Sequence, residues 1–407
     1  HFTSSPSNIP LPHSEDLIVD QLFEHKGSTN NSCLCPRCEK ACPDNSHNGL
    51  ISRLVEAKNF IGAAIAIRDL NPLAETTACI SNADDFCSSN CSENLCPDSH
   101  SKVKSLNRYI CEKVPNYNVQ LEEPNGKNIA IVGSGPTGLS CAHYLARLGY
   151  KIDLYEKLNE LGGMLKWLSG SKRVPDSVVS REISNMLLPT ISIHCGQSLG
   201  EDFSINDLKE NYDGVFLSCG LTGSRCRNYE RDGFSKVEHG ISFIKKFDKN
   251  LEFIRDSKVM IIGSSFLGEC IADKALKFGA SRVYMVVDLD SIKTKYEQNR
   301  LSNIKDLGVI ILPKDNSNEF TSMSKEMDYL VLADNINHSI DLKLSNHLEK
   351  TLRIELVSWV DPISHLLIGQ DNIFAGGNMV GNPLSLERSV RSGRKAALSV
   401  NNILKEV

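Results

Sequence analysis

A glycine-rich segment near the middle of the chain has the spacing of a dinucleotide-binding turn. Gly133, Gly135 and Gly138 complete the pattern Gly-x-Gly-x-x-Gly, and the acidic Glu156 follows about 20 residues later. The first glycine permits a tight turn, the second lets the backbone approach a pyrophosphate, and the third allows close helix packing. The carboxylate would accept hydrogen bonds from ribose hydroxyls. The pattern predicts a dinucleotide site, and a glycine turn that holds no ligand is the alternative.

A second glycine turn, about 130 residues further along, departs from this pattern. It runs from Gly263 to Gly268, but Ser265 stands where a pyrophosphate must approach the backbone. The next strand is followed by Asp288, whose charge would repel the 2′-phosphate of NADP and suits the ribose of NAD. We therefore expect that NAD binding is possible and that NADP binding is disfavoured. Two alternatives stay open: a Rossmann shell kept only as structure, and an exposed loop carboxylate at Asp288.

Eight of the fourteen cysteines lie in one stretch ahead of the first glycine turn. Clustered thiolates can ligate iron–sulfur clusters or a tetrahedral zinc ion, and free thiols left from a decayed site are the third interpretation. A secreted disulfide module would also cluster cysteines, but the nucleotide-binding units favour a reducing compartment. The candidate metal ligands are Cys33, Cys35, Cys38, Cys42, Cys79, Cys87, Cys91 and Cys96.

Two stretches of one design must position the glycine turns. Each consists of a strand, the turn, a helix that ends before a glycine (Gly149 or Gly279), and a second strand. The strands are almost continuously apolar, which is typical of parallel strands buried on both faces. Before Asn128 the apolar residues have helical spacing between cysteine groups. The sequence predicts an α/β fold, with two Rossmann-like dinucleotide-binding domains preceded by a small α-helical cysteine-rich domain.

The overall composition is that of a globular protein with several domains. The chain has 407 residues, 41% hydrophobic and 23% charged, which suggests two to four domains. Its net charge of -5 provides no nucleic-acid footprint, and no apolar run approaches the roughly 18 residues that a membrane span requires. We expect no nucleic-acid partner and no transmembrane segment. The chain begins at His1, for which removal of an organellar presequence and an incomplete sequence are both explanations.

The motifs resemble those of the glutamate synthase β-subunit and, more closely, the N-terminal electron-input half of dihydropyrimidine dehydrogenase. The likeness extends almost end to end and includes the segments YLARLGY, GSGPTG, LGGML, GVFLSCGL and NIFAGGNMVGNP. The resemblance implies a discontinuous FAD domain, interrupted by an NADPH domain and preceded by a helical domain with two [4Fe-4S] clusters. Together with the element pattern, it divides the chain into an extended arm (1–30), a helical cysteine-rich domain (31–118), an FAD-binding domain (119–225 and 361–407) and a degenerate NAD(P)-binding-like domain (226–360).

The resemblance also implies which residues contact the flavin. Asn378 stands where the family carries an aspartate that bonds the ribityl chain, so an acceptor is kept and the charge is lost. FAD binding survives this change in our interpretation. The other cofactor-binding positions implied by the family's motifs are Ser134, Pro136, Thr137, Lys157, Gly163, Arg173, Gly220 and Gly377.

For the cysteines, the resemblance implies at most one complete [4Fe-4S] cluster. The set that keeps four thiolates is Cys33, Cys35, Cys38 and Cys91. A second set, with Cys42 and Cys87, would need Cys79 or Cys96 to replace a missing thiolate. The family's ligand positions are otherwise occupied by Thr77, Ser81 and, at an oxygen-ligand position, Asn107. A second cluster is therefore doubtful, and zinc remains the alternative.

Two functions follow as hypotheses. The first is an FAD-binding electron-transfer subunit that works with other protein subunits in a larger assembly. The second is a catalytically inactive accessory subunit of a mitochondrial complex such as a respiratory complex, because several cofactor-contacting positions are altered. The predicted location is the mitochondrial matrix, and the cytoplasm is the alternative. His194 and His365 show no evident partner in the sequence, and no hydrolytic motif is present, but flavin chemistry needs no protein nucleophile.

Overall fold

Helices precede the first strand, and two parallel sheets follow them. The computed structural model describes residues 48–80, 102–171, 174–220, 237–292, 295–314, 322–333, 360–380 and 385–405. All of these residues belong to one unit, residues 35–407. Seven of the eight candidate metal-binding cysteines lie outside the described residues, as does Arg173, and Cys79 lies within them.

The helical region before the first strand has a small core of its own. Its helices are α1 (Asn48–Glu56), α2 (Phe60–Leu70), α3 (Ala74–Ile80) and α4 (Lys102–Lys113). The Asn59 side chain caps α2 by accepting a 2.9 Å hydrogen bond from the backbone of Gly62. The buried Arg68 donates to the carbonyls of Cys111 and Val114 at 3.0 and 2.6 Å. This guanidinium therefore satisfies carbonyls at the end of α4 that the helix itself leaves without partners.

The first sheet is assembled from both ends of the described chain. Its strands are β1 (Asn128–Val132), β2 (Lys151–Glu156), β3 (Ile191–Cys195), β4 (Gly214–Leu217) and β10 (Ile373–Ala375). They are parallel, in the order β10-β4-β1-β2-β3. Helices α5 (Pro136–Arg147) and α13 (Leu386–Lys405) pack together, and the shorter helices α6 (Met164–Leu168), α7 (Asp176–Met186) and α8 (Ile205–Asn211) connect the strands.

The second sheet is inserted between β4 and β10. Its strands are β5 (Val237–His239), β6 (Lys258–Ile262), β7 (Arg282–Val287), β8 (Ile310–Pro313) and β9 (Tyr329–Leu332), parallel in the order β5-β9-β6-β7-β8. Its helices are α9 (Gly240–Ile244), α10 (Lys246–Lys249), α11 (Phe266–Lys277) and α12 (Lys295–Asp306). The predicted α/β fold with two Rossmann-like sheets is confirmed, because each sheet has a central strand that leads into a glycine turn and a helix.

The helical region is joined to the first sheet by a buried carboxylate. Glu182 of α7 accepts hydrogen bonds from the backbone N–H groups of Glu75 and Thr76, both at 2.8 Å, at the start of α3. Arg181, one residue earlier, bonds the Glu75 side chain. Burial raises the pKa of Glu182 to about 7. The hydrogen bonds from Thr76 and Glu75 act in the opposite direction, because they favour the charged form. Without this carboxylate, two buried N–H groups would lose their partners at about 1–3 kcal/mol each.

A second buried ionisable group lies near the end of α7. The imidazole of His143 in α5 is fully buried, and its Nδ1 lies 3.2 Å from the carbonyl oxygen of Met186. No partner for its Nε2 is found in the described part of the chain. Burial and the nearby Arg147 lower the pKa of His143 to about 4, while Asp69 acts in the opposite direction. Protonation would therefore bury a charge and an Nε2–H group without a partner in the described residues.

This histidine should make stability depend on pH. Its pKa of about 4 in the folded chain lies below the unfolded value of 6.5, so the unfolded chain takes up a proton first as the pH falls. The free energy of unfolding should decrease by about 2 kcal/mol between pH 7.5 and pH 5 on account of this group. Urea unfolding of the wild type and of His143→Gln at both pH values measures the difference. An equal loss in both chains would contradict the assignment.

Candidate functional site

The first glycine turn is packed so closely that two of its glycines have no room for a side chain. Gly133 has a φ of +101°, and a Cβ there would lie 2.5 Å from the Ser218 carbonyl oxygen. A Cβ on Gly138 would lie 1.9 Å from the carbonyl oxygen of Gly133. Gly135 differs, since a Cβ there would meet nothing within 4 Å. The two close contacts hold the turn, and the remaining glycine faces open space.

The helix that follows this turn offers its N-terminus to the open space. The N-cap residue of α5 is Gly135, which has no side chain with which to cap the helix, and Pro136 is the first helical residue. The N–H groups of a first helical turn have no partners within the helix, and they carry the positive end of the helix dipole. An anion placed above Gly135 would meet both features.

Glu156 closes the second strand beside the turn. It is 6% exposed, and its Oε2 accepts hydrogen bonds from the backbone and the hydroxyl of Ser134 at 2.9 and 2.6 Å. Its Oε1 accepts from the backbone of Leu158 at 3.0 Å. A carboxylate has about four acceptor positions, so this side chain is fixed by its neighbours and keeps capacity for one further donor.

These groups line a cavity of about 320 Å³. The second half of the first sheet contributes the turn after β10, where Gly377 has a φ of +70° and its Cα lies against the Thr137 side chain. The sequence-predicted residues that line the cavity are Gly133, Gly135, Pro136, Thr137, Glu156, Lys157, Gly163, Gly220, Gly377 and Asn378. Segments from both ends of the described chain therefore meet at one site.

Other residues that line the cavity were not predicted from the sequence as ligand contacts. Trp167 of α6 lies on one wall, and Lys245 and Phe266 reach the cavity from the second sheet's domain. Ile80, the last residue of α3, also lines it, so the helical region touches the same cavity. Only tertiary packing brings these residues to the cavity, because each belongs to an element far from the first glycine turn in sequence.

The second glycine turn is closed by its own serine. Gly263 has a φ of +105°, as a tight turn requires. Ser265 is the N-cap of α11, and its hydroxyl accepts a hydrogen bond from the Gly268 backbone at 3.3 Å and donates to the Ala333 carbonyl at 2.7 Å. In the first unit a bound phosphate would accept a hydrogen bond from an N–H group at the start of the helix. Here the Ser265 hydroxyl accepts that hydrogen bond instead.

Asp288 follows β7 and faces solvent. Its side chain is 48% exposed and its Oδ2 lies 3.9 Å from the Lys314 Nζ. This distance belongs to a weak surface pair. The geometry is compatible with a ribose-binding acid and with an exposed loop carboxylate, so the role of Asp288 stays a prediction.

The metal-ligand predictions fall mostly outside the described residues. Cys79 is buried on α3 within the core of the first sheet. Thr77 accepts a 3.0 Å hydrogen bond from the Asn71 side chain, so its hydroxyl has a partner inside the helical region. Across the described ranges, no group of three or more His, Cys, Asp or Glu side chains could hold a metal ion. The cluster ligands stay predictions.

The structure provides His194 with a partner that is not evident in the sequence. Its Nε2 lies 2.7 Å from Oδ1 of Asp153 on the neighbouring strand, and its ring stacks on Tyr155 with centroids 4.8 Å apart. Parallel pairing of β2 and β3 places Tyr155 directly opposite His194, which the sequence alone could not indicate. His365 is buried with a φ of +56°, and within the described chain its Nδ1 has no partner. Neither histidine lines the cavity.

A family model matches residues 127–347, and its description is pyridine nucleotide-disulphide oxidoreductase. The match includes both glycine turns and more than half of the 407 residues. The chain belongs to this family. In the described part of this family member, no helix is long and apolar enough to cross a membrane.

Bacterial relatives resemble this family member over most of its length. The NAD-dependent dihydropyrimidine dehydrogenase subunit PreT of Salmonella typhimurium is 25% identical over 388 residues, 91% of each chain. The Escherichia coli subunit of the same name is 24% identical over 383 residues, 90% of each chain. The beta subunit of the NADP(+)-dependent formate dehydrogenase of Moorella thermoacetica is 25% identical over 320 residues, 69% of this chain and 44% of that one. The predicted resemblance is confirmed, and these relatives lend no support to a mitochondrial accessory role.

Solved structures share the fold at low identity. FprA of Mycobacterium tuberculosis, in complex with NADPH, has a TM-score of 0.51 and 13% identity, and the match covers 70% of this chain and 85% of that one. A likeness at this identity concerns the fold alone. It agrees with the two parallel sheets of the family.

Alanine substitutions at two glycines of the first turn should separate folding from ligand binding. Gly138→Ala would place a Cβ 1.9 Å from a backbone oxygen, and we expect a loss of about 3 kcal/mol or more in the free energy of unfolding. Gly135→Ala would place a Cβ in open space, so its cost should stay within about 1 kcal/mol. Urea unfolding followed by circular dichroism measures both. Equal destabilisation would show that the space above Gly135 is not open.

Proposed function

We propose that this chain is an FAD-dependent electron-transfer subunit of a larger oxidoreductase. The observation that carries the proposal is the cavity where the open Gly135, the fixed carboxylate of Glu156 and the Gly377–Asn378 turn meet. The sequence spacing, the uncapped start of α5 and the family membership support the same ligand. The domain boundaries predicted from the sequence belong to this proposal, since β10 completes the sheet that holds the cavity.

Residues at the cavity match the diphosphate, the adenosine ribose and the ribityl chain of FAD. The N-terminus of α5 would bind the diphosphate above Gly135, where a Cβ would occupy space that the ligand needs. Glu156 would accept from the adenosine ribose with its remaining acceptor capacity, while Ser134 and Leu158 hold its orientation. Asn378 would bond the ribityl chain. Bound FAD would supply hydride acceptance and transfer of single electrons, chemistry that belongs to the cofactor.

The second domain supports a weak nicotinamide site at most. The Ser265 hydroxyl already caps α11 and bonds the Ala333 carbonyl, so a dinucleotide would have to displace both hydrogen bonds. Asp288 favours NAD over NADP. The electron source is therefore NADH, used slowly, or a partner protein. This proposal includes other protein subunits as partners, one [4Fe-4S] cluster on Cys33, Cys35, Cys38 and Cys91, and a cytoplasmic location.

Purification of the full chain tests the flavin directly. Denaturation should release about one FAD per chain, because the residues of the dinucleotide-binding pattern line the cavity. Gly135→Ala should fold and bind FAD at least about tenfold more weakly, since its Cβ occupies the approach of the diphosphate. Flavin absorbance after denaturation and fluorescence titration of the flavin-depleted chain are the measurements. A wild-type chain that neither carries nor takes up FAD would end the proposal.

Reduction of the bound flavin tests the second turn. We expect slow bleaching of the flavin absorbance by NADH and negligible bleaching by NADPH under anaerobic conditions. Ser265→Gly should increase the NADH rate, because it removes the Cβ and hydroxyl from the phosphate approach. Ser264→Gly, one residue away in the same turn, is the matched control and should leave the rate unchanged. Rapid reduction of the wild type by NADPH would show that Ser265 and Asp288 do not restrict this site.

A further inference from the structure

The second domain places a lysine on the wall of the cavity that the first domain forms. Lys245 follows directly after α9 and lines the cavity together with Lys157, the residue next to Glu156. Its Nζ lies 4.4 Å from the ring centroid of Trp167, which belongs to the first domain. The Trp167 Nε1 donates a 2.8 Å hydrogen bond to Asp248 of the second domain. The lysine is thus held at the cavity by contacts between the two domains.

The two lysines place two positive charges on the cavity wall, and neither forms an ion pair with a carboxylate of the described residues. In contrast, their neighbour Lys246 bonds Glu238 at 2.7 Å. Burial and the charge of Lys157 lower the pKa of Lys245, and Asp248 acts in the opposite direction from beyond ion-pair distance. Lys245 is partly buried and Lys157 is exposed, and their like charges repel each other. An anionic ligand in the cavity would relieve this repulsion and provide both with a partner.

We propose that Lys245 binds the diphosphate of the dinucleotide held by the first glycine turn. The diphosphate is the anionic part of such a ligand. The start of α5, which suits an anion, lines the same cavity as Lys245. The second domain then contributes a binding residue to the site of the first, and ligand binding strengthens the contact between the two domains. This inference rests on the proposed function.

The test compares ligands that differ in the phosphates. The flavin-depleted full chain is titrated with FAD and with riboflavin, which lacks phosphate, while ADP is measured by competition. Lys245→Gln should weaken the binding of FAD and of ADP by about tenfold or more, which is the effect expected for loss of a charge-assisted hydrogen bond. The affinity for riboflavin should stay unchanged. Lys245→Arg should keep most of the FAD affinity because it keeps the charge. The affinity of Lys245→Gln for FAD should also fall less steeply with salt concentration than that of the wild type.

Lys249→Gln is the matched control. It removes one positive charge from an exposed lysine of the adjoining helix that does not line the cavity and whose charge acts on Lys245 more weakly than that of Lys157, so its FAD affinity should change far less than that of Lys245→Gln. Equal FAD affinity of Lys245→Gln and wild type would overturn the inference and leave the proposed function intact. Equal losses for riboflavin and FAD would also overturn it, since the lysine would then act on the ring or on folding. Failure of the wild type to bind FAD at all would remove both.

Discussion

Close backbone packing around the first turn of α5 is the constraint on which the site depends. Three segments meet there with no space for a side chain. A Cβ on Gly138 would lie 1.9 Å from the Gly133 carbonyl oxygen, one on Gly393 would lie 2.2 Å from the Thr137 carbonyl oxygen, and one on Gly377 would lie 2.5 Å from the Thr137 hydroxyl. These glycines bring β1, the turn after β10 and α13 against one helix end. The cavity exists because that helix end cannot move away from the sheet.

The two dinucleotide units show opposite solutions to the same problem. The first N–H groups of a helix need acceptors. In α5 the N-cap is Gly135, and the groups face the cavity. In α11 the N-cap is Ser265, whose hydroxyl accepts from Gly268 and bonds the Ala333 carbonyl on the neighbouring strand end. A residue change at one position therefore converts an anion-binding helix start into one that is complete without a ligand.

The helical region is attached to the domain of the first sheet through polar contacts that are costly to break. Glu182 accepts from two N–H groups at the start of α3, and Arg147 forms a 2.6 Å ion pair with Asp69 at the end of α2. Because α3 ends at Ile80 on the cavity wall, these contacts also determine where the helical region meets the cavity. Burial raises the pKa of Glu182 to about 7, so one of these contacts depends on a group that titrates near neutral pH.

The sequence by itself determined the local chemistry of the site. The glycine spacing, the acidic residue that ends β2 and the serine at the second turn are local features, because each depends on backbone freedom and side-chain size within one short segment. Only the tertiary structure decided that Ser265 bonds Ala333, that His194 pairs with Asp153, and that Lys245 and Ile80 reach the cavity. The physical reason is that local spacing specifies turns and caps, whereas cavity walls form where distant segments pack together, and that packing depends on the whole core.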